Sequence, residues 1–286
     1  MSVQAAILPG GRLHLQQGPI DLVIEAMPLR AGPAGAAAVR AAYDRARDRF
    51  DGLLQGLAAE LPALRSPEPL PLQGPVARVM GRAVAPYRAE RVTPMAAVAG
   101  AVAEAVLAAL VGDGAGLGRA YVNNGGDIAL WLGAGQRLTA ALAGSADRVT
   151  VRQADAVRGI ATSGWRGRSF SLGIADAVTV LAGTAAAADV AATMIGNRVD
   201  LPGHPAIRRR PACTLQCDSD LGARMVTVAV GPLQRAEAEE ALAAGAGYAE
   251  ALCRRGLIAG AALMVQGRRR IVGQALLTRE PEETYG

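Results

Sequence analysis

Apolar segments of strand length, separated by glycine turns, are mixed with long helical segments in this chain, without a regular alternation of the two. The first 25 residues contain three such segments around turns that include Pro9-Gly10-Gly11. Another hairpin is predicted around the turn at residues 124–127. Strands joined by hairpins and by long helices are typical of an α+β fold with antiparallel sheets. A doubly wound fold is not favoured, because no G-x-G-x-x-G motif lies between a strand and a helix.

Four helices are predicted from periodicity and capping residues. The first, at residues 39–61, repeats apolar side chains every three or four positions and ends at Pro62. The second begins with Thr93-Pro94, an N-cap followed by proline at the first helical position, and consists mostly of small residues. The other two are predicted at residues 184–195 and 233–254. Residues 67–75 are predicted as an extended proline-rich connection, and strands are predicted at 120–123, 128–132, 148–153, 156–160, 175–181, 225–230, 258–265 and 270–276.

Composition and charge exclude several classes of function. The chain is 51% hydrophobic, too much for a disordered protein. Its net charge of +5 is spread out, and the two dense runs, Arg208–Arg210 and Arg268–Arg270, are interpreted as solvated loops rather than a nucleic-acid site. The apolar stretch 94–111 carries Glu104 and is interpreted as a buried helix rather than a membrane span. No secretory leader is visible, so we expect a cytoplasmic protein without membrane or nucleic-acid partners.

The first candidate for chemistry is the segment from Asn123 to Asp127. Asn123, Asn124 and Asp127 contribute two amides and one carboxylate. Gly125 and Gly126 between them can adopt positive φ and let another molecule approach the backbone closely. The segment is therefore either part of a ligand pocket or a hairpin turn closed by its own Asn side chains.

The second candidate follows directly after a predicted strand. Its arginine supplies forked donors for an anion and its tryptophan supplies a stacking face. No histidine lies nearby to activate a serine, so a Ser-His-Asp enzyme is not indicated. The segment is either a ligand-binding loop or a flexible connection. Its candidate binding residues are Thr162, Ser163, Gly164, Trp165 and Arg168.

The third candidate is the pair Asp189 and Thr193. On a helix these residues lie one turn apart on the same face. Carboxylate and hydroxyl oxygens suit Mg²⁺ when waters and substrate phosphates complete its shell. Alternatively, Asp189 interacts only with the positive end of its own helix dipole. A further polar segment, Cys217–Gly222, is interpreted as a turn.

The order of these motifs along the chain resembles the ApbE-like superfamily, and in particular its uncharacterised UPF0280 branch. The resemblance covers about residues 5–275. It implies two similar α+β halves, packed intimately and related to the tunnelling fold. We therefore expect residues 1–286 to form one unit, with approximate halves 1–135 and 136–286. The motifs that carry the resemblance are Thr93–Gly100, Asn124–Ile128, Thr162–Gly164, Ser169–Val178, Ala177–Val180, Ala188-Asp189 with Thr193, and Ser219–Gly222.

The resemblance also implies a chemistry. ApbE proteins are Mg²⁺-dependent flavin transferases that bind FAD and move its FMN part onto a threonine of a target protein. Their A-D-x-x-x-T helix matches Asp189 and Thr193, which are thereby assigned as catalytic and metal-binding residues. A backbone carbonyl that completes the metal site falls near Ala97 or Val98. Mg²⁺ is the implied cofactor, and FAD, FMN or another nucleotide is the implied small-molecule partner.

The sequence departs from the ApbE pattern in two places, which limits the activity that the resemblance implies. Ala99 stands where the transferases have lysine, and no histidine follows Thr162–Gly164. We therefore expect nucleotide or flavin binding without FMN transfer. The alternative is a non-flavin enzyme or accessory protein of sulfide and homocysteine metabolism on the same fold, with a role for Cys213 or Cys217. For assembly, a homodimer is the base-rate expectation.

Overall fold

The computed structural model describes residues 2–142, 148–273 and 277–278, and it contains both long helices and many short strands. The last three residues of the strand predicted at 270–276 lie outside the described residues. The strands are β1 (Gln4–Ile7), β2 (Leu13–Gln17), β3 (Ile20–Pro28), β4 (Leu117–Asn124), β5 (Asp127–Leu132), β6 (Arg137–Ala141), β7 (Arg148–Arg152), β8 (Gly159–Ser163), β9 (Ala177–Ala182), β10 (Ile207–Pro211), β11 (Met225–Val230), β12 (Gly260–Val265), β13 (Arg268–Gly273) and β14 (Leu277–Thr278).

Seven α-helices and three short 3₁₀ helices are found among the described residues. The α-helices are α1 (Pro33–Phe50), α2 (Leu53–Ala59), α3 (Leu61–Leu64), α4 (Pro75–Val84), α5 (Val98–Val111), α6 (Ala185–Arg198) and α7 (Arg235–Arg254), and the 3₁₀ helices span Ala85–Glu90, Pro94–Ala97 and Ala212–Thr214.

Nine strands form one sheet in the order β1-β2-β3-β4-β5-β8-β9-β12-β13, and every neighbouring pair is antiparallel. The predicted α+β class is thus confirmed. Within this sheet the hairpin β2-β3 is followed by helices and by the hairpin β4-β5. The hairpin β8-β9 is likewise followed by α6, α7 and the hairpin β12-β13. Such a repeated order supports two similar halves, although the division at residues 135 and 136 stays a prediction.

The sheet carries a different layer on each face. On one face α1, α5, α6 and α7 cover successive strands, and the main apolar core fills the space between. On the other face a small sheet, in the order β14-β7-β6, lies over the middle of the large sheet. A second apolar cluster, which includes Leu130, Val151, Ile160 and Leu181, fills that gap. Polar residues near the centre of the sheet can therefore point to either of two very different layers.

Two helix predictions are corrected by the structure. The helix predicted at 39–61 ends at Phe50, because Gly52 adopts a left-handed conformation with φ of 73° and the chain continues as α2 and α3. The proline-rich connection is extended only up to Gly74. Pro75 then begins α4, at the first-turn position where a missing N–H costs nothing. Apolar periodicity continues through the Asp51-Gly52 break, which is why it predicts one helix there.

Three predictions that concern strands are corrected as well. The strand predicted at 156–160 lies at Gly159–Ser163, so Thr162 and Ser163 end a strand instead of starting a loop. Arg268–Arg270 is not a solvated loop, since it begins β13, which pairs with β12. Nor is Arg208–Arg210, since β10 pairs with β11 across Arg209↔Thr227 and its neighbours. Arginines alternate between the two faces of this ribbon, and no apolar pattern along the chain marks it as a strand.

The segment 94–111 is long and apolar enough to span a membrane by length and composition alone, with a mean hydropathy of 2.0. A core helix of a soluble protein meets the same criterion. Here α5 packs against α1, α6, β4 and β5, and Ala101, Val102, Val106 and Leu110 are fully buried. These contacts are the ones that the buried-helix interpretation predicts.

Candidate functional site

One end of the large sheet meets the N-terminus of α5 and the side of α6. The β4-β5 turn and the end of β8 lie side by side at this end, because β5 and β8 are antiparallel neighbours. The start of α5 lies beside the β4-β5 turn, where Ala99 contacts Asn124. Helix α6 runs along β8, with its N-terminus beside Gly159 at the start of the strand and Gly196 beside Ser163 at its end. Helix N-termini present unpaired N–H groups and a partial positive charge. Acidic side chains that collect here are therefore stabilised.

The helices α5 and α6 cross closely because small residues face each other. A Cβ atom added at Gly100 would lie 2.3 Å from the carbonyl oxygen of Ala185. Each helix also caps the other. The Gly100 amide donates to Oδ2 of Asp189 at 3.0 Å, and the Ala186 amide donates to Oε1 of Glu104 at 2.7 Å. Asp189 thus interacts with the N-terminus of α5, not only with its own helix.

Asp127 begins β5 and points toward this crossing. Its Oδ1 accepts the backbone N–H of Thr162 at 3.1 Å. Burial raises the pKa of Asp127 to about 7, although the Thr162 amide and the charge of Arg168 oppose the shift. The second oxygen, Oδ2, has no hydrogen-bond donor among the described residues. One carboxylate oxygen therefore remains available to a ligand.

Asp189 shares the environment of Asp127. Burial raises the pKa of Asp189 well above its ordinary value, and the charge of Asp127 raises it further. The amides of Gly100 and Ala99 act in the opposite direction. Two carboxyl groups close enough to influence each other resist ionising together. We refer to Asp127, Asp189 and the groups that contact them as the carboxylate site.

Strand alternation directs three predicted residues toward the helices. Ala129 and Ala161 belong to the core beneath the helices, and alternate positions on a strand share one face. Asp127 and Ser163 therefore face α5 and α6, as does Asn124, which is paired with Asp127 in register. The Nδ2 group of Asn124, 5% exposed, donates to the carbonyl of Ala99 at 3.2 Å. This bond ties the β4-β5 turn to the start of α5.

The same alternation directs Asn123 and the Thr162 side chain to the opposite face of the sheet. The Thr162 hydroxyl pairs with that of Thr179 at 2.9 Å. Oδ1 of Asn123 accepts the Gly126 amide at 2.8 Å, which is the Asx-type turn weighed for this segment. The structure therefore does not bring these two side chains to the carboxylate site, although the Thr162 amide does reach it.

Arg168 lies across the β4-β5 turn. A Cβ atom added at Gly125 would lie 1.8 Å from Nη2 of Arg168, so the guanidinium occupies the space that this glycine leaves open. Gly125 also has φ of 65° and Gly126 has φ of 115°. Both conformations favour glycine, and they leave the turn backbone accessible beside Asp127.

Trp165 faces a different cluster from the one predicted. Its Nε1 donates to Oδ1 of Asp176 at 3.2 Å, and the guanidinium of Arg166 lies 4.6 Å from its ring centre. Gly164 packs tightly against the carbonyl of Asp176, and Asp176 Oδ2 accepts the Gln266 amide at 2.5 Å. The structure shows Trp165 as an anchor of the loop, and no contact joins it to Asp127 or Asp189.

The remaining predicted metal-site residues lie on the two crossing helices. Thr193 is partly buried one turn after Asp189 on α6. Val98 is the first residue of α5, directly after a change from 3₁₀ to α-helix at Ala97. Oxygen donors are thus available from carboxylates, a hydroxyl and the backbone, which is the donor set that Mg²⁺ prefers.

Sequence reasoning did not find three residues that shape this region. Glu104 caps α6, Asp176 anchors the loop that carries Arg168, and Asp220 accepts a hydrogen bond from the Thr93 hydroxyl at 2.5 Å. Thr93 therefore does not cap its helix with its side chain. A carboxylate within an apolar helix was a usable signal for Glu104. No sequence signal pairs Asp220 with Thr93, which lies 127 positions earlier.

These features define a class of protein: an α+β fold in which two crossing helix N-termini and the end of an antiparallel sheet enclose a pair of carboxylates. A protein-family model described as "AbpE bacteria" matches residues 5–271. The chain therefore belongs to this family, and the resemblance to the ApbE-like superfamily is confirmed.

Curated relatives support the same branch. A UPF0280 protein of Methanothermobacter thermautotrophicus is 37% identical over 147 residues, covering 49% of this chain and 55% of the relative. A UPF0280 protein of Methanosphaerula palustris is 37% identical over 153 residues, covering 50% and 59%. The chain thus spans little more than half the length of these relatives.

Two solved structures align along nearly the whole chain. Flavinyl transferase ApbE of Pseudomonas stutzeri, in its apo form, is 12% identical, with a TM-score of 0.42 over 96% of this chain and 95% of that one. A mutant of flavin transferase ApbE from Vibrio cholerae is also 12% identical, with a TM-score of 0.41 over 96% and 97%.

Proposed function

We propose that this protein binds a phosphate-bearing nucleotide or flavin together with a divalent cation, Mg²⁺, at the carboxylate site. The observation that carries the proposal is the juxtaposition of Asp127 and Asp189 among buried groups. Two buried like charges are unfavourable unless a cation or a proton neutralises them. Among the described residues, Arg168 is the one cation whose charge acts on Asp127. A divalent cation would neutralise the pair.

The donor set fits such a cation. No group of three or more His, Cys, Asp or Glu side chains is placed to hold a metal in the described part of the chain. Two carboxylates alone leave most of a Mg²⁺ shell open, which suits an ion that keeps waters and binds substrate phosphates. Asp189 and Asp127 would hold the cation, with Thr193 and the backbone near Val98 completing the protein's share. Bound Mg²⁺ would supply charge neutralisation and polarise the phosphate oxygens.

The surrounding groups would orient the organic ligand. The open backbone at Gly126 lets a nucleotide approach, and Asn124 holds that turn against α5. Ser163 and Gly164 follow Thr162 at the rim, and Arg168 offers charge-assisted hydrogen bonds to a phosphate. Trp165 would act through the loop rather than by stacking on the ligand.

FMN transfer is not part of the proposal. Ala99 stands where the transferases have lysine, and no histidine follows Thr162–Gly164. The two histidines lie elsewhere, His14 beside Asp21 at 2.9 Å and His204 beside Glu237 at 3.1 Å. The sulfur-metabolism alternative gains no support from the geometry. Cys213 lies in the 3₁₀ helix after β10 and Cys217 follows it, and both thiols are exposed.

Isothermal titration with FAD, FMN and ADP, each with and without Mg²⁺, tests the proposal on the whole chain. Wild type should bind at least one ligand only when the metal is present. Asp189→Asn should lose at least about tenfold in affinity, the lower bound for a partner of a metal site. Asp48→Asn, an exposed carboxylate of α1, is the control and should bind like wild type. Equal binding by both variants, or no metal-dependent ligand, contradicts the proposal.

Assembly and location stay predictions. A homodimer and a cytoplasmic location follow only from base rates and from the sequence. Light scattering over a wide concentration range checks the first, and a single monomer peak throughout would contradict it.

A further inference from the structure

The loop after β8 is held at both ends, and Arg168 extends from it. At its start, the Trp165 amide donates to the carbonyl of Ala175 at 3.0 Å, and the indole and Arg166 both donate to Asp176. At its end, the Ser171 carbonyl accepts an amide from β11 at 2.9 Å. A loop held in this way limits where the Arg168 side chain can lie.

The β4-β5 turn provides the matching surface. Any side chain at residue 125 would collide with the guanidinium, which lies 1.8 Å from the ideal Cβ position. In this structure the guanidinium therefore occupies the space that a side chain at residue 125 would need. Arg168 is otherwise exposed. One side of its guanidinium faces the turn, and its remaining N–H groups are free for a ligand.

The charges of the site do not balance with the cation alone. Asp127 and Asp189 contribute two negative charges when ionised, and Arg168 contributes one positive charge. A divalent cation would bring the sum to about one positive charge, carried by Arg168 at the exposed edge of the site. Arg168 and the cation repel each other until an anion lies between them. An anionic group that contacts both would turn this repulsion into two attractions.

We propose that Arg168 makes the site selective for ligands that bring a phosphate, because it weakens binding of the bare cation and strengthens binding of the cation–phosphate complex. This inference rests on the function proposed above and adds the residue that selects the phosphate. Nucleotides such as ADP or FMN are accepted. The same molecules without phosphate, adenosine and riboflavin, are not.

Two titrations on the full chain separate these effects. Mn²⁺ alone, followed by electron paramagnetic resonance, measures cation binding. ADP at saturating Mn²⁺, followed by calorimetry, measures phosphate binding. Arg168→Gln should bind Mn²⁺ roughly threefold to tenfold more tightly, because one repelling charge is gone. It should bind ADP about 10- to 100-fold more weakly, because a charge-assisted hydrogen bond is lost.

Opposite signs in the two titrations are the specific result, since general damage to the fold would weaken both. Arg168→Lys keeps the charge, so its Mn²⁺ affinity should match wild type and its ADP affinity should be partly restored. Arg40→Gln, at an exposed position on α1, is the control for net charge and should match wild type in both.

Two outcomes overturn the inference, and they differ from each other. In the first, wild type binds Mn²⁺ and ADP, and Arg168→Gln either changes both affinities in the same direction or changes neither. Arg168 then does not select for the phosphate, and only this inference fails. If neither wild type nor any variant binds Mn²⁺, the proposed function fails, and this inference fails with it.

Discussion

Replacing Gly100 with alanine should destabilise the protein, although alanine is the better helix former. In α5, alanine gains about 1 kcal/mol over glycine from helix propensity. The new methyl group, however, would lie 2.3 Å from the Ala185 carbonyl oxygen and 2.7 Å from the Ala186 amide. Ordinary van der Waals contact begins at 3.4 Å. The neighbours are backbone atoms, so the two helices must separate by about 1 Å.

Separation of two packed helices has a cost typical of overpacked cores, about 1–3 kcal/mol. Because the clash involves backbone on both helices, we place the cost at the upper end, which leaves a net loss of about 2 kcal/mol after the propensity gain. In a chain of this size that lowers Tm by about 3 °C. The shift also pulls the Gly100 amide from Asp189, so metal-dependent ligand binding should weaken in parallel.

Urea denaturation followed by circular dichroism measures the effect as a change in midpoint at constant slope. Gly247→Ala is the matched control, since Gly247 lies within α7 with nothing within 4 Å of the added Cβ. It should stabilise the protein by about 0.5–1 kcal/mol. If Gly100→Ala proves as stable as Gly247→Ala, the close crossing of α5 and α6 is not rigid and the reasoning is refuted.

Three further predictions follow from individual contacts. The pKa of Asp127 is raised from 3.8 to about 7, so without metal its stabilising contribution is complete below about pH 4 and is lost as pH rises through about 7. Melting curves in EDTA from pH 5 to 8 should show this decline in wild type, and a decline of equal size in Asp127→Asn would disprove it. Glu104→Ala should lower the free energy of unfolding by about 1–2 kcal/mol, because the Glu104 carboxylate accepts the Ala186 amide of α6 at 2.7 Å. An unchanged urea midpoint would mean that this cap is dispensable. The exposed thiols of Cys213 and Cys217 should react rapidly with Ellman's reagent. Cys253 should react slowly, because burial raises the pKa of its thiol. Three equal rates would contradict this prediction.

Much of the fold was predictable because its elements have local signals. Short apolar segments bounded by turns marked β2 and β3, a continuous apolar run marked β9, and Thr93-Pro94 marked the start of the segment that becomes α5. The turn between β4 and β5 was predictable from its Asn-Gly-Gly-Asp residues. The wrong predictions occurred where the local sequence pattern was weak or where two patterns disagreed. At Gly52, for example, apolar periodicity continued across a residue in the left-handed conformation. In β10, pairing with β11 and not any apolar pattern decides the structure.

For the candidate site, the sequence by itself determined which residue types are available: the acid and hydroxyl of α6, the glycines of the β4-β5 turn, and the arginine after β8. Only the tertiary structure decided which of them meet. Asp127 and Asp189 are brought together by the β5-β8 pairing and the α5-α6 crossing, both of which join distant parts of the chain. Strand alternation in the assembled sheet turns Asn123 away, and the contact with Asp176 turns Trp165 away. The physical reason is that a side chain's direction depends on the face of the element that is buried, and burial is a property of the packed whole rather than of the local sequence.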